Sequence, residues 1–172
     1  MKIKYILCII VGVFLVLFII TRGESGGGNV YGVNERVFLP EVSTASIKAK
    51  LDTGALTSSL GAEDIELFQK DGRDWVRFTP QIKDAQRMER PVARHSEIKR
   101  RVAETDGEYE PDKRPVVLLE ICFDGKKYTI EVNLTDRSRF IYPLLLGRNS
   151  MAEFGALVDP AREYTTTPSC GR

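Results

Sequence analysis

The chain has 172 residues, with 25 Lys+Arg against 24 Asp+Glu, one His and three Cys. That length fits one domain with a real core, and a net charge of +1 gives no general attraction to nucleic acid. With no Cys-x-x-Cys pair and no His-Glu-x-x-His, the composition argues against a zinc site or a cysteine-stapled scaffold, and a Ser-His-Asp triad would rest on His95 alone.

Every residue from 5 to 20 except Gly12 is apolar or aromatic, Lys2 and Lys4 precede the run, and Thr21-Arg22 close it. A membrane span needs roughly 20 residues and signal-peptide cores are usually shorter than this run. No clear small-x-small cleavage site follows. Residues 1–22 therefore read as an uncleaved signal anchor, a single transmembrane helix, with a cleaved signal peptide as the alternative. Two Lys before the run against one Arg after it place the N-terminus in the cytosol. The rest is expected in the periplasm, tethered to the bacterial inner membrane, or secreted if the segment is cleaved. Residues 23–31 form a Gly-rich linker, and residues 32–172 the folded domain.

Strand signals dominate that domain. Residues 35–39 are a short candidate. In 46–51, Ile47, Ala49 and Leu51 alternate with Lys48 and Lys50. Residues 62–69 carry a brief helical signal, and 75–78 another strand. Residues 79–114 read as a long insertion. From Gln81 to Arg114 roughly half the residues are charged, with mixed signs and almost no apolar periodicity, which predicts a mobile excursion or a plain solvated loop. Residues 115–123 and 127–134 are the clearest strand pair, joined by the hairpin signal Asp124-Gly125. A short apolar strand at 142–146 stops at Gly147, and 149–154 reads as a helix. Many short strands and few helices predict a mainly β barrel or sandwich. Cys122 is expected to be buried on its strand and Cys170 to lie in a mobile Thr/Pro-rich tail. A disulfide between them is the alternative outside the cytosol.

Two features carry chemistry. Asp52-Thr53-Gly54-Ala55 puts a carboxylate at the end of an alternating strand, with Thr53 able to fix the turn through its hydroxyl and Gly54 permitting close backbone approach. Leu144-Leu145-Leu146-Gly147-Arg148-Asn149 is an apolar strand end opening into a helix. Each alone is an ordinary turn or strand end. In this order they are similar to the retropepsins, the single-domain aspartic proteases of retroviral type. Lys48–Ala55, Ala62–Glu66, Asp74–Phe78, Arg114–Val117, Leu145–Arg148 and Leu157–Pro160 more closely resemble the bacterial retropepsin-like group labelled RimK-associated or ATP-dependent zinc proteases. No phosphate-binding loop and no zinc motif accompanies that label here.

The resemblance implies a single-lobed, closed β-barrel and a peptidase that splits peptide bonds with water. Asp52, Thr53 and Gly54 would be catalytic, supported by Ala55, Leu145, Leu146, Gly147, Arg148 and Asn149. With one Asp-Thr-Gly per chain, the carboxylate pair would form across a homodimer. No metal, cofactor or nucleic acid is implied. A flap over the substrate would fall between Phe78 and Arg114. Leu56 stands where retroviral sequences carry an acid that pairs with the Arg of Gly-Arg-Asn, so Arg148 must find another partner or none. Two other readings remain: a non-catalytic peptide-binding domain of the same fold, and a zinc peptidase as the group's label suggests.

Overall fold

The computed structural model describes residues 28–98 and 112–170. The expected membrane anchor and most of the expected linker lie outside them. Among the described residues, no helix is long and apolar enough to cross a membrane. The described chain is mainly β with one short helix.

Strand β1 (Asn29–Val37) pairs antiparallel with β2 (Ile47–Leu51). In β2 the expected alternation holds: Ile47, Ala49 and Leu51 are buried, while Lys48 and Lys50 are exposed. Strand β3 (Ser58–Lys70) then runs for 13 residues. Its outer half pairs with β4 (Arg73–Pro80), so the helix expected at 62–69 is a strand instead. The register shifts between Glu63 and Glu66, and Asp64 takes a φ of 50°. This bulge breaks the two-residue alternation and leaves Ala62, Ile65 and Phe68 as the less exposed positions, a spacing that imitates a helix face.

The expected excursion is also corrected. It holds β5 (Met88–Pro91), paired with β4, and β6 (Arg94–Ile98), paired with β7 (Asp112–Phe123). Its mixed charges belong to a cross-strand ladder. Arg77 stands opposite both Glu66 and Glu89, with ion-pair distances of 3.6 and 2.6 Å. Such a ladder needs opposite charges on facing strands rather than apolar periodicity.

The hairpin from β7 to β8 (Lys126–Thr135) turns at Asp124 and Gly125, with φ of 48° and 78°. Asp71 and Gly72 turn β3 into β4 in the same way, at 51° and 69°. Two positive φ values match the right-handed twist of the strands. Strand β9 (Leu144–Leu146), helix α1 (Arg148–Phe154) and β10 (Ala156–Glu163) complete the fold. The main ladder runs β10-β1-β2-β9-β3-β8-β7-β6. Its two ends do not pair, so the expected closed barrel is an open ladder among the described residues. The ladder nonetheless curls. Phe38 and Cys122 exchange backbone hydrogen bonds of 3.1 and 2.7 Å, which bring the end of β1 to β7.

The core lies inside this curl. Phe123 stacks on Phe154 of α1 at 4.4 Å between ring centroids, and Tyr31 meets Phe123 edge-on at 4.8 Å. The tail expected to be mobile is tied down across the seam. Cys170 is disulfide-bonded to Cys122, with Cα atoms 5.0 Å apart. Just before it, Thr165 and Thr166 donate to the fully buried Glu35 carboxylate through the Thr165 hydroxyl at 2.6 Å and the Thr166 backbone N–H at 2.9 Å. The tail is held because a carboxylate buried in β1 needs these donors.

Candidate active site

Asp52 follows β2 directly. Strand β2 runs parallel to β9, with Leu51 opposite Leu146, and the Asp52 N–H extends that ladder to the Leu146 carbonyl at 2.9 Å. The strand pairing therefore fixes the backbone that carries the carboxylate. The turn beyond it is closed by the carboxylate itself: Oδ1 accepts the Gly54 N–H at 2.9 Å, and the Asp52 carbonyl accepts the Ala55 N–H at 3.2 Å. A Cβ on Gly54 would lie 3.1 Å from that same Oδ1. Thr53 does not fix this turn; it is exposed and makes no hydrogen bond among the described residues. The Asp52 side is half-buried.

The second motif is sewn to the first. Arg148 N–H donates to the Ala55 carbonyl at 2.8 Å and Asn149 N–H to the Leu56 carbonyl at 3.1 Å. Beneath them the Gly147 N–H donates to the Ser58 hydroxyl at 3.0 Å, and that hydroxyl lies 2.8 Å from the Ser150 hydroxyl. Leu146 is fully buried and Leu145 half-buried. All nine site residues read from the sequence thus fall in two segments that the fold brings together. Leu56 is exposed, and the Arg148 side chain makes no ion pair among the described residues. Ser58 and Ser150 were not foreseen, although they are the buried link between the segments.

Beside this junction lies a cleft of about 640 Å³. Gly54 to Thr57 form one wall, and β6 with the start of β7 forms another. Three arginines reach it. Arg94 binds Glu131 at 2.6 Å and Thr57 at 3.1 Å, strapping β6 to the loop after Asp52. Arg114 binds Asp112 at 2.8 Å. Arg137 is buried, donates to the Tyr142 carbonyl at 3.1 Å and lies over the Phe140 ring. Burial, then the Arg114 charge, hold the Arg137 guanidinium below the ordinary arginine value, while the Asp52 charge pulls it back up. Ser59, Ser96 and Asn133 also line the cleft. Among the described residues, no three of His, Cys, Asp and Glu gather in a cluster able to hold a metal ion.

Comparison with known proteins shows the family of the chain. Residues 30–169 match the RimB-like family, described as the retropepsin-like aspartic endopeptidase RimB. A protein of Shewanella pealeana named as a probable alpha-L-glutamate ligase is 33% identical over 138 residues, covering 78% of this chain and 29% of its own length. One of the same name from Desulfotalea psychrophila is 34% identical over 137 residues, covering 77% and 28%. The chain spans less than a third of the length of these curated relatives. The crystal structure of Lpg0085, a Legionella pneumophila protein of unknown function, superposes with a TM-score of 0.65 at 39% identity, covering 80% of this chain and 98% of that one. With most of the folded domain matched and both motifs joined at one site, the chain belongs to the RimB-like family of retropepsin-like proteins.

Proposed function

We propose that this domain is an aspartic endopeptidase whose site is completed by a second copy of the chain. The observation that carries the reading is Asp52 itself. It sits at a strand end, its backbone N–H held by the Leu146 carbonyl and its carboxylate by the Gly54 N–H, in the loop whose next residues wall a peptide-sized cleft. One chain supplies one Asp-Thr-Gly. A two-fold axis through the site would bring two Asp52 carboxylates within one water of each other. At that separation both cannot ionise, so the pair shares a proton. The ionised member takes a proton from water, which attacks the peptide carbonyl, and the protonated member supports the developing oxyanion. The exposed Thr53 hydroxyl is available to the second copy.

The Cys122–Cys170 disulfide supports a location outside the cytoplasm, since such bonds persist in oxidising compartments. That fits a domain held in the periplasm by the N-terminal apolar segment. The test is cleavage of a peptide library by the full chain between acidic and neutral pH. Wild type is expected to cut, and Asp52→Asn to lose activity while keeping its fold. Cutting by Asp52→Asn at the wild-type rate overturns the reading, and binding without cutting by either protein leaves a peptide-binding domain.

A further inference from the structure

Strand β1 begins close to the expected membrane anchor. Six residues, 23 to 28, separate Arg22, which closes the apolar run, from Asn29 at the start of β1. Fully extended, they span roughly 20 Å at most. The outward face of β1 opens on an apolar pair. Val30 is 44% exposed and stands opposite Leu157 of β10, which is 56% exposed. Gly28 packs beside this pair, since a Cβ there would lie 3.2 Å from the Leu157 Cγ. Exposed apolar surface thus lies where the tether enters the fold.

Farther along β1 the same face turns basic. Alternate residues of a strand share a face, so Arg36 lies on the side of Val30. Arg36 stands opposite Lys48 of β2, and both are exposed. The end of β10 crosses this face over Gly32, where a Cβ would come within 2.5 Å of the Arg162 carbonyl oxygen. Tyr164 follows and meets both cations, its ring centroid 5.6 Å from the Arg36 guanidinium carbon and 5.7 Å from the Lys48 Nζ. Neither cation makes an ion pair among the described residues. The acids on this side are already engaged, Asp159 with Arg162 at 3.1 Å and Glu163 with the Asn34 amide at 2.7 Å.

We propose that this face docks on an anionic phospholipid bilayer. Val30 and Leu157 enter the boundary between headgroups and acyl chains, Tyr164 sits at headgroup level, and Arg36 and Lys48 meet lipid phosphates. This rests on the anchor expected at residues 1–22, not on the peptidase reading. A short tether keeps the face at high effective concentration over the lipid, so weak contacts suffice. A second copy is a poorer occupant: in a two-fold contact this face would meet itself, setting unpaired cations against a surface whose acids are taken.

The test uses the full chain reconstituted in vesicles of phosphatidylglycerol and phosphatidylcholine, with and without brominated acyl chains that quench tryptophan. Leu157→Trp and, separately, Val30→Trp place the reporter. Wild type, whose single Trp75 lies on β4 off the main ladder, gives the background. Each added tryptophan is expected to lose at least roughly half its emission to brominated lipid in the anionic vesicles. Adding Arg36→Gln/Lys48→Gln should recover most of it, as should vesicles of phosphatidylcholine alone. Unquenched reporters at both positions, as expected if a second copy covers the pair, overturn the proposal. Quenching that ignores both the charge variant and the lipid charge also overturns it, because the tether alone would then account for the proximity. Flotation with vesicles after a carbonate wash tests the anchor by itself. A chain that washes off removes anchor and proposal together, and a chain that stays with unquenched reporters keeps the anchor and removes only the docked face.

Discussion

Gly147 packs directly against the backbone of Thr57: a Cβ on Gly147 would come within 2.7 Å of the Thr57 carbonyl carbon and 2.8 Å of the Leu56 carbonyl oxygen. Both neighbours are backbone, so neither can swing away. Gly147→Ala must push the Asp52 loop off the start of α1. Overpacking of this kind costs about 1–3 kcal/mol. We expect urea denaturation to show that loss, and peptide cleavage to fall further than the loss of folded protein explains, because the displaced loop carries Asp52.

The Ser58 hydroxyl joins the two motifs from below, bonding the Gly147 N–H and meeting the Ser150 hydroxyl at 2.8 Å. Ser58→Ala would leave a buried backbone N–H and a buried hydroxyl without partners, a loss of about 1–3 kcal/mol. Ser150→Ala removes one partner and leaves the Gly147 bond intact, so it should cost less. The double variant should cost less than the sum, because the two changes share one network. A double-mutant cycle by chemical denaturation measures this, and strict additivity would show that the serines act apart.

Local turns were legible in the sequence. The turn at Asp52–Gly54, the strand end at Gly147 and the Asp124-Gly125 turn each depend on neighbours in sequence and lie where expected, although Asp52 and not Thr53 closes the first. The helix at 62–69 failed because a bulge at Asp64 turned a strand's period of two into a spacing of three. The strands within 79–114 were hidden because Arg77, Glu66 and Glu89 pair across strands and leave no apolar pattern. Ser58, Ser150, Asn133 and Arg137 escaped because their importance depends on partners or cavities far off in sequence. Asn133, set between the buried Val132 and Leu134, was the one visible clue: a polar residue in a strand end buried on both faces.

The disulfide ties the tail to β7 across the seam where the main ladder stays open. It closes a loop of sequence separation 48. Loss of such a link typically costs about 2–4 kcal/mol, or roughly 10 °C in melting temperature for a domain of this size. Cys170→Ser is expected to show that drop, and added reductant should reproduce it in wild type while leaving Cys170→Ser unchanged. Thiol titration of the denatured, unreduced chain should find one free thiol, since the sequence holds three Cys.

Asp136 gives a pH handle on the cleft. Its carboxylate is held below the ordinary aspartate range, first by the Gln81 side-chain amide and then by the Ser138 backbone N–H and hydroxyl. The folded value lies below the unfolded one, so the stabilisation is present above the unfolded value of about 3.9 and is lost as pH falls through the folded value. Gln81 also accepts the Arg137 backbone N–H at 2.7 Å, so the same amide steadies the cleft arginine. The Ser138 amide resonance should therefore titrate with a midpoint below 3.9. Asp136→Asn should remove that transition and leave the rest of the spectrum in place. A midpoint at or above the ordinary value would contradict the hydrogen-bonded arrangement.

The decisive question is whether the working unit holds one Asp52 or two, and mixing answers it without a structure of the dimer. If each site draws one carboxylate from each chain, a mixed pair of wild type and Asp52→Asn has a single carboxylate and no partner to share its proton. Random exchange at equal amounts leaves about a quarter of the pairs wild type on both sides. Activity should then fall to about a quarter of that of wild type alone at the same total chain concentration. It should scale with the square of the wild-type fraction. Chains that act singly would instead keep about half. A linear dependence, measured after exchange is complete, would place the whole catalytic apparatus in one chain. It would send the search for a second carboxylate back to the acids around the cleft, Glu97 among them.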